Sequence, residues 1–185
     1  MALPGRRVAV ITGDGFEEAE LRDPVLALRE HGVDVTVIGP DRHAMEQGML
    51  GLRHFEPSGR VRADLCIDEA HVEDFDALYL PGGRAPDELR MNEKILDFVS
   101  EFDDAEKPIA AICHGPQILI SANLVDGRIL TAYPSIEVDL ENAGGNYMDS
   151  EVVEDRNWIT SRGPQDLPVF IEAFLRKLAQ LPVSY

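Results

Sequence analysis

Positive charge is scarce in this chain of 185 residues: 17 Lys and Arg stand against 34 Asp and Glu, a formal net charge of -17. Such a surface repels nucleic-acid backbones and anionic membranes at long range, so neither is an expected partner. Lysine is confined to Lys94, Lys107 and Lys177, a bias that a GC-rich genome and an acidic, salt-tolerant surface would both produce. Cysteine is rarer still, with Cys66 and Cys113 alone, too few for a disulfide-stapled scaffold. Apolar runs are short. No stretch of ~18 apolar residues occurs, and no charged-then-apolar leader precedes the first strand-like run at Arg7 to Thr12, so a cytoplasmic protein without membrane contact is expected. His31, His43, His54 and His71 lack the paired spacing of a zinc site, and P-loop and dinucleotide fingerprints are missing, so neither metal nor nucleotide cofactor is expected.

What is present is an ordinary globular composition, 44% hydrophobic and 28% charged, in a length that fits one core, so residues 1–185 are read as one domain. Val8-Ala9-Val10-Ile11 runs into Thr12-Gly13-Asp14-Gly15, and apolar residues then recur at helical spacing through Ala19, Leu21, Val25, Leu26 and Leu28. His31-Gly32 closes that helix and Val33 to Ile38 forms a second apolar run, giving a βαβ unit and hence parallel pairing. Residues 41–60 show no clear period and are expected to form a loop or short hairpin before a mixed strand from Val61 to Ile67.

Further strands are predicted at Asp76 to Leu80, Pro108 to Ile112 and near Ile129 to Thr131, with a hairpin about Asp155-Arg156-Asn157. Helices are predicted from Asn92, as a cap, to Phe102, from Pro116 to Ala122, near Ser135 to Asn142, and from about Asp166 to Leu181. Alternating βα units predict an α/β fold: a doubly wound, mostly parallel sheet with helices on both faces, in three layers. In such a fold the loops Thr12 to Glu20, Pro81 to Asp87 and Cys113 to Pro116 meet at the carboxyl ends of the strands.

Chemistry then centres on Cys113. A cysteine between a buried strand and a helix start meets unpaired amides and the positive dipole end, so it is expected to be unusually acidic. The sharp turn Ile112-Cys113-His114-Gly115-Pro116 resembles a nucleophile elbow, in which the next amide, that of His114, helps bind an oxyanion. Gly83 brings a second amide toward the same point, since glycine permits close approach; Pro-Gly-Gly is also a common tight strand exit. His114 suits proton transfer near neutral pH, and buried structural histidines are equally common. Glu17, Glu18 and Glu20 complement a helix dipole, and one of them, Glu20 by choice, faces the crevice as a carboxyl that tunes the thiol. Cys66 lies in an alternating run and reads as an inert half-buried thiol.

These segments together resemble the PfpI/ThiJ family of intracellular cysteine proteases and related deglycases, within the class I glutamine amidotransferase-like superfamily, whose sheet is flavodoxin-like. The resemblance rests on Gly15-Phe16-Glu17-Glu18-Ala19-Glu20-Leu21, on Phe75 to Pro86 with Pro81-Gly82-Gly83-Arg84-Ala85-Pro86 at its end, on Ala111 to Gln117 around Cys113, and on Asn157-Trp158-Ile159-Thr160-Ser161-Arg162. It implies that Cys113 is the nucleophile, Glu20 its carboxylic-acid neighbour, His114 a catalytic partner and Gly83 part of the oxyanion hole. It also implies a third, acidic member reaching across from a neighbouring subunit, at the position held here by Asp87, where relatives carry glutamate. Tyr133 falls where relatives place a tyrosine near the cysteine. Relatives form homodimers, and some form hexameric rings of dimers. The implied function is a stress-protective cysteine hydrolase acting on peptides or on glyoxal and methylglyoxal adducts. The alternative is a non-enzymatic oxidative-stress sensor or chaperone-like protein working through oxidation of Cys113.

Overall fold

The computed structural model describes residues 2–182. In chain order its elements are β1 (Arg7–Ile11), β2 (Phe16–Glu17), α1 (Glu18–Glu30), β3 (Asp34–Gly39), α2 (Arg42–Glu46), β4 (Met49–Arg53), β5 (Glu56–Val61), β6 (Leu65–Cys66), β7 (Ala77–Leu80), α3 (Ala85–Leu89), α4 (Glu93–Asp104), β8 (Ile109–Ile112), α5 (Pro116–Ser121), β9 (Ile129–Leu130), α6 (Glu137–Asn142), β10 (Asn146–Tyr147), β11 (Val152–Asp155), β12 (Trp158–Ser161) and α7 (Leu167–Ala179).

A seven-stranded sheet in the order β11-β12-β8-β7-β1-β3-β6 forms the centre. Every pairing in it is parallel except β11 with β12, the hairpin read around Asp155 to Asn157. Strands β7, β8 and β12 are buried along their whole length, because helices cover both faces of a parallel sheet. On one face Tyr79 meets Phe170 and Phe174 of α7, with ring centroids 5.7 and 6.1 Å apart. On the other, α4 packs beside β7 and α5. Each fully buried Leu, Ile or Phe here contributes roughly 1.5–3 kcal/mol relative to exposure. The expected doubly wound, three-layer fold is the one observed.

Asn92 caps α4 as read, its Oδ1 accepting from the amides of Lys94 and Ile95 at 3.0 and 3.4 Å. Between residues 41 and 67 the structure has the expected short hairpin and corrects the rest. Residues 42–46 form α2, whose cap Asp41 accepts the Ala44 amide at 3.0 Å, and the hairpin β4–β5 follows. No single strand spans Val61 to Ile67. Asp64 ties its own amide and its carboxylate to the Val37 backbone at 2.7 and 2.8 Å, which stops β5 and launches β6 at the sheet edge. β5 is exposed along almost all its length, so no alternation marks it. The strand predicted near 129–131 lies outside the main sheet, paired with β10, and the end of the loop read from Pro81 to Asp87 is helical, within Ala85–Leu89.

Registers align the exits of the central strands, with Val10 opposite Tyr79 and Tyr79 opposite Ala110. Thr12, Pro81 and Cys113 therefore leave the sheet side by side. At the opposite, amino end, Arg128 is buried under the starts of β8 and β12. Its Nε bonds Asp155 at 3.0 Å, its Nη1 meets Asp103 at 3.3 Å, and its Nη2 donates to the Asp155 carbonyl and to Asn157 at 2.9 and 3.0 Å. The guanidinium lies 3.7 Å over the Trp158 ring, whose Nε1 donates to Asp103 at 2.7 Å.

Candidate active site

Cys113 follows β8 without a spacer and adopts φ of 59°, a left-handed conformation that costs a non-glycine residue ~1–2 kcal/mol. Hydrogen bonds on both sides hold it there. Its amide donates to Ser161 of β12 at 3.0 Å, its carbonyl accepts the Tyr133 amide at 2.9 Å, and the Gly115 amide turns back to Ile112 at 2.8 Å. The side chain is 7% exposed. The strand-to-helix turn read from the sequence is therefore a strained elbow that presents sulfur at the crevice.

Gly82 and Gly83 form the facing wall. A Cβ on Gly82 would stand 2.5 Å from Glu20 Oε2 and 2.7 Å from the Cys113 Cβ, and one on Gly83, at φ +86°, would stand 2.4 Å from the Glu17 nitrogen. Neither position admits a side chain without displacing the site. The amides of Gly83 and His114 both favour the charged form of the sulfur, and they are the pair named from the sequence as oxyanion donors.

Glu20 is fully buried. Its Oε2 accepts the Gly82 amide at 2.8 Å, and its carbonyl accepts the Tyr79 hydroxyl at 2.5 Å. Oε1 has no hydrogen-bond partner, and the carboxyl faces Cys113 across Gly82. Burial raises Glu20 from 4.5 to about 7, against the bonds from Cys113 and Gly82, which lower it. The thiol is also pushed up, first by burial and then by the nearby carboxylate, with the Gly83 and His114 amides opposing. This corrects the expectation of an unusually acidic Cys113. α5 has six residues and its end does not outweigh the desolvation of the sulfur. The two acids titrate as a coupled pair, the first proton leaving near pH 7 and the second at much higher pH.

His114 is half-buried and burial lowers its pKa, with the charge of Asp87 opposing, so it stands neutral at pH 7, ready to take a proton. Its Nδ1 lies 3.2 Å from Cys113 Sγ and its Nε2 lies 3.1 Å from Ser135 Oγ. The Tyr133 ring stacks on the imidazole at 4.9 Å between centroids, 28° between planes. Cys113, His114, Glu20, Gly83 and Tyr133 thus lie together at the carboxyl end of the sheet. Asp87 is exposed on α3 and reaches His114 of its own chain through charge alone. Within the chain, Ser135 is the group on Nε2. It was missed from the sequence, although it stands two residues beyond Tyr133. Among the described residues, no three His, Cys, Asp or Glu are placed to hold a metal ion, and no helix is long and apolar enough to cross a membrane.

A parallel α/β sheet that aims a buried cysteine, a neutral histidine and two amides at one point is a nucleophile-elbow scaffold. The chain belongs to the DJ-1/PfpI family, whose model matches residues 6–177. It is 42% identical over 172 residues to a protein of Pyrococcus abyssi named as a deglycase, covering 93% of this chain and 99% of that one. It is 41% identical over 167 residues to General stress protein 18 of Bacillus subtilis, covering 90% of this chain and 94% of that one. A crystal structure from Anabaena variabilis, of a two-domain protein with DJ-1/ThiJ/PfpI-like and ferritin-like domains, superposes with a TM-score of 0.87 at 37% identity. That match covers 96% of this chain and 50% of the larger one.

Proposed function

We propose that this protein is a stress-protective, cysteine-dependent enzyme that attacks carbonyl carbon in glyoxal- or methylglyoxal-derived adducts. The observation that carries the reading is the Cys113–His114 contact at 3.2 Å, beside a buried carboxyl and two amides directed at the sulfur. Relatives named as deglycases and as a general stress protein support it.

The chemistry follows from the arrangement. His114 takes the Cys113 proton as the sulfur adds to the aldehyde carbon of methylglyoxal, and it returns that proton to the resulting oxyanion, which the Gly83 and His114 amides hold. His114 removes the proton from that carbon and a proton is returned to the neighbouring carbonyl carbon. The former aldehyde carbon is oxidised and its neighbour reduced, with no outside redox partner, leaving a lactoyl thioester. Water attacks the thioester carbonyl, the C–S bond breaks, and lactate leaves with the thiol restored. Peptide hydrolysis would use the same thiolate and amides, with an amine leaving in place of the proton shift.

Lactate release from methylglyoxal in Tris-free buffer, run beside a short peptide substrate, tests this. Lactate formed by the wild type and absent in Cys113→Ser supports the reading. Peptide cleavage alone turns it to a peptidase. No product from either, together with selective gain of two oxygens at Cys113 under mild peroxide, overturns it in favour of an oxidation sensor.

A further inference from the structure

Glu17 is the buried acid that the site above leaves without a role. It is 8% exposed and stands three residues before Glu20, where β2 turns into α1. The two glutamates clasp the same glycine: the Glu17 amide donates to the Gly82 carbonyl at 3.3 Å, and the Gly82 amide donates to Glu20 Oε2 at 2.8 Å. The Glu17 carboxylate turns the other way, toward the tip of the β4–β5 hairpin, where Oε2 accepts the His54 amide at 3.0 Å.

Environments this different separate the roles of two neighbouring acids. A carboxylate that accepts a backbone N–H is favoured in its charged form, whereas a fully buried carboxyl facing a thiol is not. The titratable groups facing Glu20 are Cys113 from the β8–α5 turn, Tyr79 from β7 and Glu17 from β2, and the charge of Glu17 disfavours ionisation of Glu20. His114 faces the sulfur.

We propose that Glu17 is a positioning residue of this site: its negative charge, anchored by the hairpin tip, keeps the shared proton between Glu20 and Cys113 at neutral pH. The inference rests on the reading of Cys113 as the reactive group and adds the residue that sets its ionisation. It also makes the hairpin part of the site. The tip residue Phe55 is 91% exposed, so a ligand that shifts the tip loosens the anchor of the charge that acts on the thiol.

The test is the pH dependence of Cys113 alkylation by iodoacetamide, read by intact mass. Glu17→Gln keeps an acceptor for the His54 amide and removes only the charge. It is expected to move the first midpoint down by on the order of one pH unit, the size of a nearby like-charge effect. Glu17→Asp, which keeps charge on a shorter arm, is expected to restore the wild-type midpoint. Glu18→Gln, altering a neighbouring carboxylate that pairs with Arg22 and Arg53, is expected to leave it unchanged. Should Gln not be accommodated, Glu17→Ala provides a second neutral variant with the same expected direction. A midpoint in the neutral variants equal to wild type, or one in Glu17→Asp displaced as far as in Glu17→Gln, overturns the proposal. A wild type in which Cys113 fails to alkylate contradicts instead the reading of Cys113 itself.

Discussion

The two ends of the sheet both bury charge-bearing side chains and treat them in opposite ways. At the amino end Arg128 is surrounded by Asp103, Asp155, Asn157 and Trp158, with a partner on each guanidinium nitrogen. At the carboxyl end Glu20 keeps one oxygen with no hydrogen-bond partner and faces a thiol. Paired buried ions hold a structure in one arrangement, and removing one partner strands the other. An acid left facing another acid has nothing to neutralise it except the proton they share, so it stays available for chemistry.

Four substitutions sharpen that contrast, in order of effect. Cys113→Ser should lower kcat/KM for the proposed substrate by ~1,000-fold or more with the thermal midpoint held near wild type, since nucleophile and base act as a unit. Activity retained in that variant would remove the carboxyl end from the chemistry. Arg128→Ala strands Asp103 and Asp155 and should cost about 3 kcal/mol of stability, near 10 °C in Tm by calorimetry for a domain of this length, with kcat per folded molecule unchanged.

Glu20→Gln should cut kcat ~100-fold, and it also changes the pH dependence of stability. Folding raises the carboxyl from 4.5 to about 7, so below 4.5 both states are protonated and no penalty exists. As pH rises from 4.5 to 7 the unfolded chain ionises first, and wild-type stability falls by roughly 3 kcal/mol from this group. Denaturant titrations at several pH values should show that slope in the wild type and its loss in Glu20→Gln. Smallest of the four is Ser135→Ala, expected to lower kcat/KM about threefold by freeing the His114 ring. Beyond these four, Asp87→Asn should move the His114 limb of the pH profile of kcat/KM toward lower pH, because the Asp87 charge opposes the burial that lowers that histidine.

The carboxyl end of the sheet was largely legible in the sequence, because the chain brings its parts there by short-range rules. A buried strand that runs straight into Cys113-His114-Gly115-Pro116, and another that ends in Pro81-Gly82-Gly83, can be read without knowing the rest of the molecule. Glu20 was one of three acids in the first turn of an amphipathic helix, and the turn alone does not separate it from Glu17 and Glu18. The β4–β5 hairpin, whose second strand is exposed, carries no period, so its tip and its bond to Glu17 were not legible. Ser135 meets His114 across the β9–α6 connection, a contact that no spacing encodes. The acidity of Cys113 was misjudged for a related reason. A helix end is local and visible in sequence, whereas the burial that outweighs it is a property of the assembled fold. Cys66, read as half-buried, lies almost wholly inside.

The central claim, that Cys113 and Glu20 share one proton, is tested most directly by titrating Cys113 through its thiolate absorbance in Cys66→Ala and in Cys66→Ala with Glu20→Gln. The account predicts a thiolate step at lower pH in the second protein than in the first, because the Glu20 carboxylate that helps to hold the thiol up is gone. The same single step in both proteins would contradict it.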